Sequence, residues 1–112
     1  MKTIENQGAQ GDVLFRRIEK VPAGATEQPR GKGGLIVAHS ETGHHHVIPD
    51  AGVAHFSNSK DALVSYLQVD TSADVVHLRA FDTHETLRLG AGAWEVRRQR
   101  EHAPEGWRRV ED

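Results

Sequence analysis

The sequence predicts an all-β fold, a small antiparallel β-sandwich or barrel with little helix. Two observations carry that prediction. Short runs rich in Val, Leu, Ile, Phe and Trp are separated at close intervals by Gly, Pro, Asp and Ser turn formers. Nowhere do apolar residues recur at helical spacing over about ten positions. The length, 112 residues, suits one domain with one core.

Taken in order, residues 1–11 are polar, carry two glycines and read as a flexible N-terminal leader, leaving 12–112 as a single β domain. Val13–Ile18 is a compact β-type run. Pro22–Gly34 is dense in turn formers and reads as a loop. Gly34–His39 is the next strand, Glu41-Thr42-Gly43 turns the chain, and His44–Ile48 extends again before a turn at Pro49–Gly52. Ser59–Leu67 is the nearest helix candidate, but its Val, Tyr and Leu favour a strand. In the second half, Leu63–Val69 and Val75–Ala80 flank Asp70–Asp74 and read as a hairpin. Thr86–Leu89 and Trp94–Arg100 flank Gly90-Ala91-Gly92 and read as a second. Alternation places Val13, Phe15, Leu35, Val37, Leu67, Val76, Leu78, Leu87, Leu89, Trp94 and Val96 in the core. Arg98 and Arg100 share the Trp94 parity, so the last strand is expected to leave the core beyond Val96.

Composition excludes several classes. Lys and Arg number 14 and Asp and Glu 16, giving a net charge of −2, which argues against general binding to nucleic acid or anionic membrane. There are no cysteines, hence no disulfide framework and no thiolate metal site. No run is long and apolar enough to span a bilayer, and the N-terminus lacks the apolar stretch of a signal peptide. A cytoplasmic protein is expected.

The pointed chemistry is histidine, eight residues in all. On a strand, side chains two apart share a face, so His44 and His46 can converge on one ion while His45 points away. His84, which precedes Glu85 at a strand entry, is the expected third ligand. His39, Glu41, Asp50, His55 and Glu85 are further candidates. Two imidazoles with a carboxylate or third imidazole suit Zn, Fe, Ni or Mn, and an open coordination position would allow the ion to activate water. Binding needs neutral imidazoles, so affinity should fall as pH drops through about 6.5, the ordinary histidine value. Against this stands the plainer reading of Gly43–His46 as a solvated turn-to-strand junction. His77 and His102 read as surface residues.

Other chemistries lack their signatures. There is no His-Glu-x-x-His, no phosphate-binding loop ahead of a helix and no serine in a nucleophile elbow. From Glu95 to Asp112 five arginines meet five acids, so a nucleic-acid surface built on that end and on Trp94 or Trp107 would lack the usual net basic charge.

Gly11-Asp12-Val13-Leu14, Ala38-His39-Ser40-Glu41-Thr42-Gly43-His44-His45-His46, His84-Glu85 and Gln99-Arg100-Glu101, in that order, resemble a group of short uncharacterised proteins of bacteria and their phages. The resemblance implies that Gly-His-x-His is a signature, and it supplies no mechanism. Where that pattern carries Tyr after Arg-Glu, this chain has His102. A partial likeness to cupin barrels implies ligand roles for His44, His46, Asp50 and His84, although the flanking glycine spacing and the second cupin motif are missing.

These readings leave three functional expectations, and whether the chain is an enzyme is left open. The first is a β domain with a divalent metal site at His44, His46 and His84. The second is a non-catalytic interaction or assembly module in which the histidines are incidental. The third is a nucleic-acid binder using the arginine-rich end. Sheet edges poor in lysine and proline predict a homo-oligomer, most simply a dimer, while any small-molecule substrate stays unnamed.

Overall fold

A computed structural model describes residues 2–29, 34–38, 46–49, 51–77, 85–98, 100–103 and 106–109. Those residues are all-β, with no helix among them. The strands are β1 (Lys2–Ile4), β2 (Gln7–Gln10), β3 (Val13–Ile18), β4 (Thr26–Gln28), β5 (Leu35–Ala38), β6 (His46–Ile48), β7 (Val53–Ser57), β8 (Val64–His77), β9 (Leu87–Arg98), β10 (Arg100–Ala103) and β11 (Gly106–Arg109). The first nine form one sheet along the path β2-β3-β9-β8-β6-β5, with β1 added to β9, β7 to β8 and β4 to β7. Every ladder is antiparallel except β1–β9. β10 and β11 make a separate two-stranded hairpin with His102 opposite Trp107. Among the described residues no helix is long and apolar enough to cross a membrane.

Two long strands dominate, and here the structure corrects the sequence reading. Asp70–Asp74 and Gly90–Gly92 are not hairpin turns but lie inside β8 and β9, which pair with each other from Val64↔Arg97 to Val75↔Leu87. Their ladder shifts register between Val69 and Ser72. A β-bulge uses the same small and polar residues as a turn, but it bends a strand instead of ending it. On β9 the buried parity changes across the bend, from Leu87 and Leu89 to Trp94 and Val96. Gly92, at φ 128°, takes a conformation that suits glycine. Arg17 fastens the bend: its guanidinium lies 4.5 Å from the Trp94 ring centroid and donates from Nη1 to the Ala91 carbonyl at 2.6 Å. The Trp94 indole in turn donates to the Gly90 carbonyl at 3.0 Å.

Three smaller corrections follow. Residues 2–10, read as a leader, supply β1 and β2, and Ile4 and Gln10 are buried. Within the Pro22–Gly34 loop, Thr26–Gln28 pairs with β7. On β8 it is Val75, not Val76, that is buried, because β8 keeps the parity of Leu67 and Val69 through the bulge. Leu78, also expected in the core, lies outside the described residues. The remaining core candidates are buried as expected, with Phe15, Leu67, Leu89 and Trp94 fully enclosed.

The sheet does not close into a barrel: β2 ends one side of the path and β5 the other. The seam between them is crossed by side chains. Gln10, from β2, reaches the backbone of β8 and the His46 ring of β6. That seam carries the candidate site.

Candidate functional site

Gln10 sets the chemistry of the seam. It is the last residue of β2, and the two-residue link Gly11-Asp12 returns the chain into β3 with Gln10 opposite Val13. Gly11 takes φ 61°, the positive angle that so short a hairpin connection needs. The Gln10 side chain is 2% exposed. Its Nε2 donates to the Val75 carbonyl and to the Glu85 carbonyl, both at 2.9 Å. Two carbonyl partners identify that atom as the amide nitrogen, since a carbonyl can only accept. The amide oxygen therefore faces His46, with Oε1 2.8 Å from Nδ1, and it can only accept. Nδ1 must carry a proton.

His46 is 1% exposed, so this tautomer is fixed in a dry environment. In the neutral ring the lone pair falls on Nε2. Nε2 lies 3.9 Å from Asp12 Oδ1, and Asp12 is itself only 10% exposed at its side chain. The other carboxylate oxygen, Oδ2, is 3.7 Å from Arg98 Nη2. Arg98 stands opposite Val13 in the β3–β9 ladder, with its side chain 11% exposed. The expectation that β9 leaves the core beyond Val96 is therefore corrected. Arg98 stays inside because the Asp12 carboxylate lies beside it and offsets the cost of burying its charge.

This arrangement is what a metal-ligating histidine requires of its surroundings: the remote ring nitrogen donates to a fixed oxygen, and the other nitrogen presents its lone pair toward a carboxylate. A proton on Nε2 would satisfy the same pair as an imidazolium–carboxylate contact.

The other predicted site residues divide as follows. His55 is half-buried on β7 and borders a cavity of about 480 Å³ that Arg98 also lines. Glu85 is exposed and joins the cluster through its backbone carbonyl. His39, Glu41, His44, Asp50 and His84 lie outside the described residues, as does His45. Among the described residues no group of three or more His, Asp or Glu could hold a metal. His77 stands directly opposite His46 in the β6–β8 register. Sequence reasoning missed Gln10, Asp12 and Arg98. A signal for Asp12 was present, since Gly11-Asp12 belongs to the same ordered motif set as the histidines.

Away from the seam, Arg88 grips Asp74 across the β8–β9 ladder with two hydrogen bonds, Nε to Oδ1 at 2.9 Å and Nη2 to Oδ2 at 3.3 Å. Those hydrogen bonds hold the Asp74 carboxyl below its usual pKa.

Compared with known proteins, residues 9–99 match the family model described as Domain of unknown function (DUF8820). No curated protein and no solved structure matches the chain.

Proposed function

We propose, for a chain that belongs to the DUF8820 family, a role as a small metal-binding β domain, with His46 Nε2 and Asp12 as ligands of a divalent ion. One observation carries the reading: Gln10 fixes the proton on Nδ1, which leaves the Nε2 lone pair facing the Asp12 carboxylate at 3.9 Å. Two ligand atoms around tetrahedral Zn²⁺ stand about 3.3 Å apart at ordinary bond lengths of about 2.0–2.1 Å, so the pair has only to close slightly. His44 and His84 are the proposed further ligands, and an open coordination position would give the ion the capacity to activate water. The Gly-His-x-His signature, a bacterial or phage origin and a cytoplasmic location belong to the same proposal. The meeting of Asp12 and His46, drawn from two separate segments of the resemblance, supports it. Self-association into a homodimer completes the reading, supported by Ile36, a large apolar residue exposed on β5 at the end of the sheet path.

The experiment is metal analysis of tag-free protein followed by calorimetric Zn²⁺ titration of the parent, His46→Ala, Asp12→Asn and His45→Ala. The first two substitutions should each weaken binding by tenfold or more, and His45→Ala should leave it unchanged. Equal binding by all four proteins would remove the site. Light scattering at micromolar concentration tests the dimer, and a monomer mass would contradict it.

A second reading has its own observation. Arg98 beside Asp12 at 3.7 Å supports a buried His–Asp–Arg ion cluster that stitches the seam of a non-catalytic interaction module. Protein that folds stably and takes up no metal in the same titration would favour it.

A further inference from the structure

At one end of the β7–β8–β9 ladders the inner face of the sheet opens beside β5. Residues two apart on a strand share a face, so Ser65 lies on the face of Leu67 and Val69, which belong to the buried core. The ladders set Ser57, Ser65 and Val96 side by side across the three strands. The cavity of about 480 Å³ begins at that row and reaches Leu35 and Val37 of β5 and Leu63 ahead of β8. Those three residues and Val96 are each 6% exposed or less, so the cavity continues the apolar core. The polar side chains on its lining are, with one exception, engaged by the protein. The Ser57 hydroxyl accepts from Gln28 Nε2 at 2.9 Å and donates to the Thr26 carbonyl at 3.4 Å. Asn58 accepts two backbone N–H groups at Oδ1 and donates from Nδ2 to the Tyr66 hydroxyl. Arg98 lies beside Asp12, and His55 has a protein partner as well. Ser65 is the exception. It is half-buried, and its hydroxyl meets no hydrogen-bond partner among the described residues.

We propose that this cavity binds a small uncharged molecule with one polar oxygen, a short-chain alcohol or ketone. The oxygen sits on the Ser65 hydroxyl and the hydrocarbon body lies against Leu35, Val37, Leu63 and Val96. A cavity of that size, with apolar walls and few polar groups, is the usual plan of a small-molecule site. The pairing of the lining sets the class of ligand. Arg98 already has the Asp12 carboxylate beside it, so a charged ligand would leave water without gaining a counter-charge, at a cost that disfavours acids and amines. A hydroxyl both donates and accepts, so Ser65 meets an alcohol or a carbonyl oxygen equally. Hydrocarbon buried against the aliphatic side chains supplies the affinity, and the single hydrogen bond orients the ligand. The site needs Ser65 and the cavity wall, and it needs no metal, so it stands apart from the reading of His46 and Asp12.

The test uses the full-length protein in excess EDTA, with hexanol as the probe, hexanoate and hexylammonium as its charged counterparts and toluene as a probe without oxygen. Binding is followed by calorimetry and by amide chemical shifts. Hexanol should bind at least about tenfold more tightly than either charged counterpart and shift the amides of Leu35, Ser57, Ser65 and Val96. Ser65→Ala keeps the cavity and removes the hydroxyl, so it should weaken hexanol by about threefold to tenfold, the worth of one hydrogen bond, and leave toluene unchanged. Ser65→Leu fills the cavity and should abolish binding of both. Charged counterparts that bind as well as hexanol would overturn the proposal, as would shifts confined to another surface. So would hexanol binding that Ser65→Ala leaves intact, full binding by Ser65→Leu, or the lack of saturable binding by hexanol and toluene alike.

Discussion

Gln10 shows how much chemistry one neutral side chain can fix. Its amide satisfies two backbone carbonyls and holds the His46 ring in one tautomer. Replacing it with Met keeps the bulk and removes two buried hydrogen bonds, to the Val75 carbonyl and the His46 ring. The expected loss is about 2–4 kcal/mol in urea denaturation, at the usual cost of unsatisfied buried groups. Asp74 makes a smaller and pH-dependent contribution. Its carboxyl is held below the usual value by the Arg88 hydrogen bonds, so the folded state favours the ionised form. That stability is complete above the unfolded value of about 3.9 and is lost as pH falls through the lower folded value. With Arg88 43% exposed, the pair contributes about 1 kcal/mol or less. The parent should therefore exceed Asp74→Asn in urea midpoint at neutral pH, and the gap should shrink in strong acid. Histidine stands out in a sequence because its chemistry is distinctive, and that made His46 legible as a candidate. Gln10 and Asp12 were not legible as its partners. A glutamine in a polar stretch and an aspartate in a Gly-Asp turn look like solvated residues until the seam brings β2 and β6 together.

At the scale of elements, the sequence shows where strands run and misreads where they stop. Val13–Ile18 and Leu35–Ala38 emerge where alternation places them. The two long strands do not, because residues that turn a chain are also the residues that bulge it, and local sequence cannot tell which will happen. What decides is tertiary: Arg17, a strand away, anchors the Ala91 carbonyl and covers Trp94. Gly92 is the sensitive point. A Cβ there would stand 2.6 Å from Arg17 Nη1, and the backbone already takes φ 128°. Gly92→Ala should cost roughly 1–3 kcal/mol through backbone strain and the displaced guanidinium. Gly24→Ala, where an added Cβ meets nothing within 4 Å, is the control and should change stability little. Equal denaturation midpoints for the two variants would mean that the bend does not depend on Gly92.

On the scale of the whole molecule, the fold class was legible because β-rich composition and the lack of helical periodicity need no tertiary information. Closure was not legible. The sheet path ends at β2 and β5, and a buried cluster of Gln10, Asp12, His46 and Arg98 joins the β2–β3 end to β6 and β9. A seam made in this way is the place where a bound cation would hold the two sides together. Metal that binds the folded state alone should raise the melting temperature in proportion to the logarithm of its concentration. The central claim concerns a single nitrogen, and long-range ¹H–¹⁵N correlation of the His46 ring during Zn²⁺ titration of the tag-free protein tests it most directly. Before metal, Nδ1 should appear protonated and Nε2 unprotonated, and Zn²⁺ should shift Nε2 strongly while Nδ1 keeps its proton. A ring protonated on both nitrogens at neutral pH and unmoved by Zn²⁺ would contradict the account and leave His46 as the cationic half of a buried ion pair.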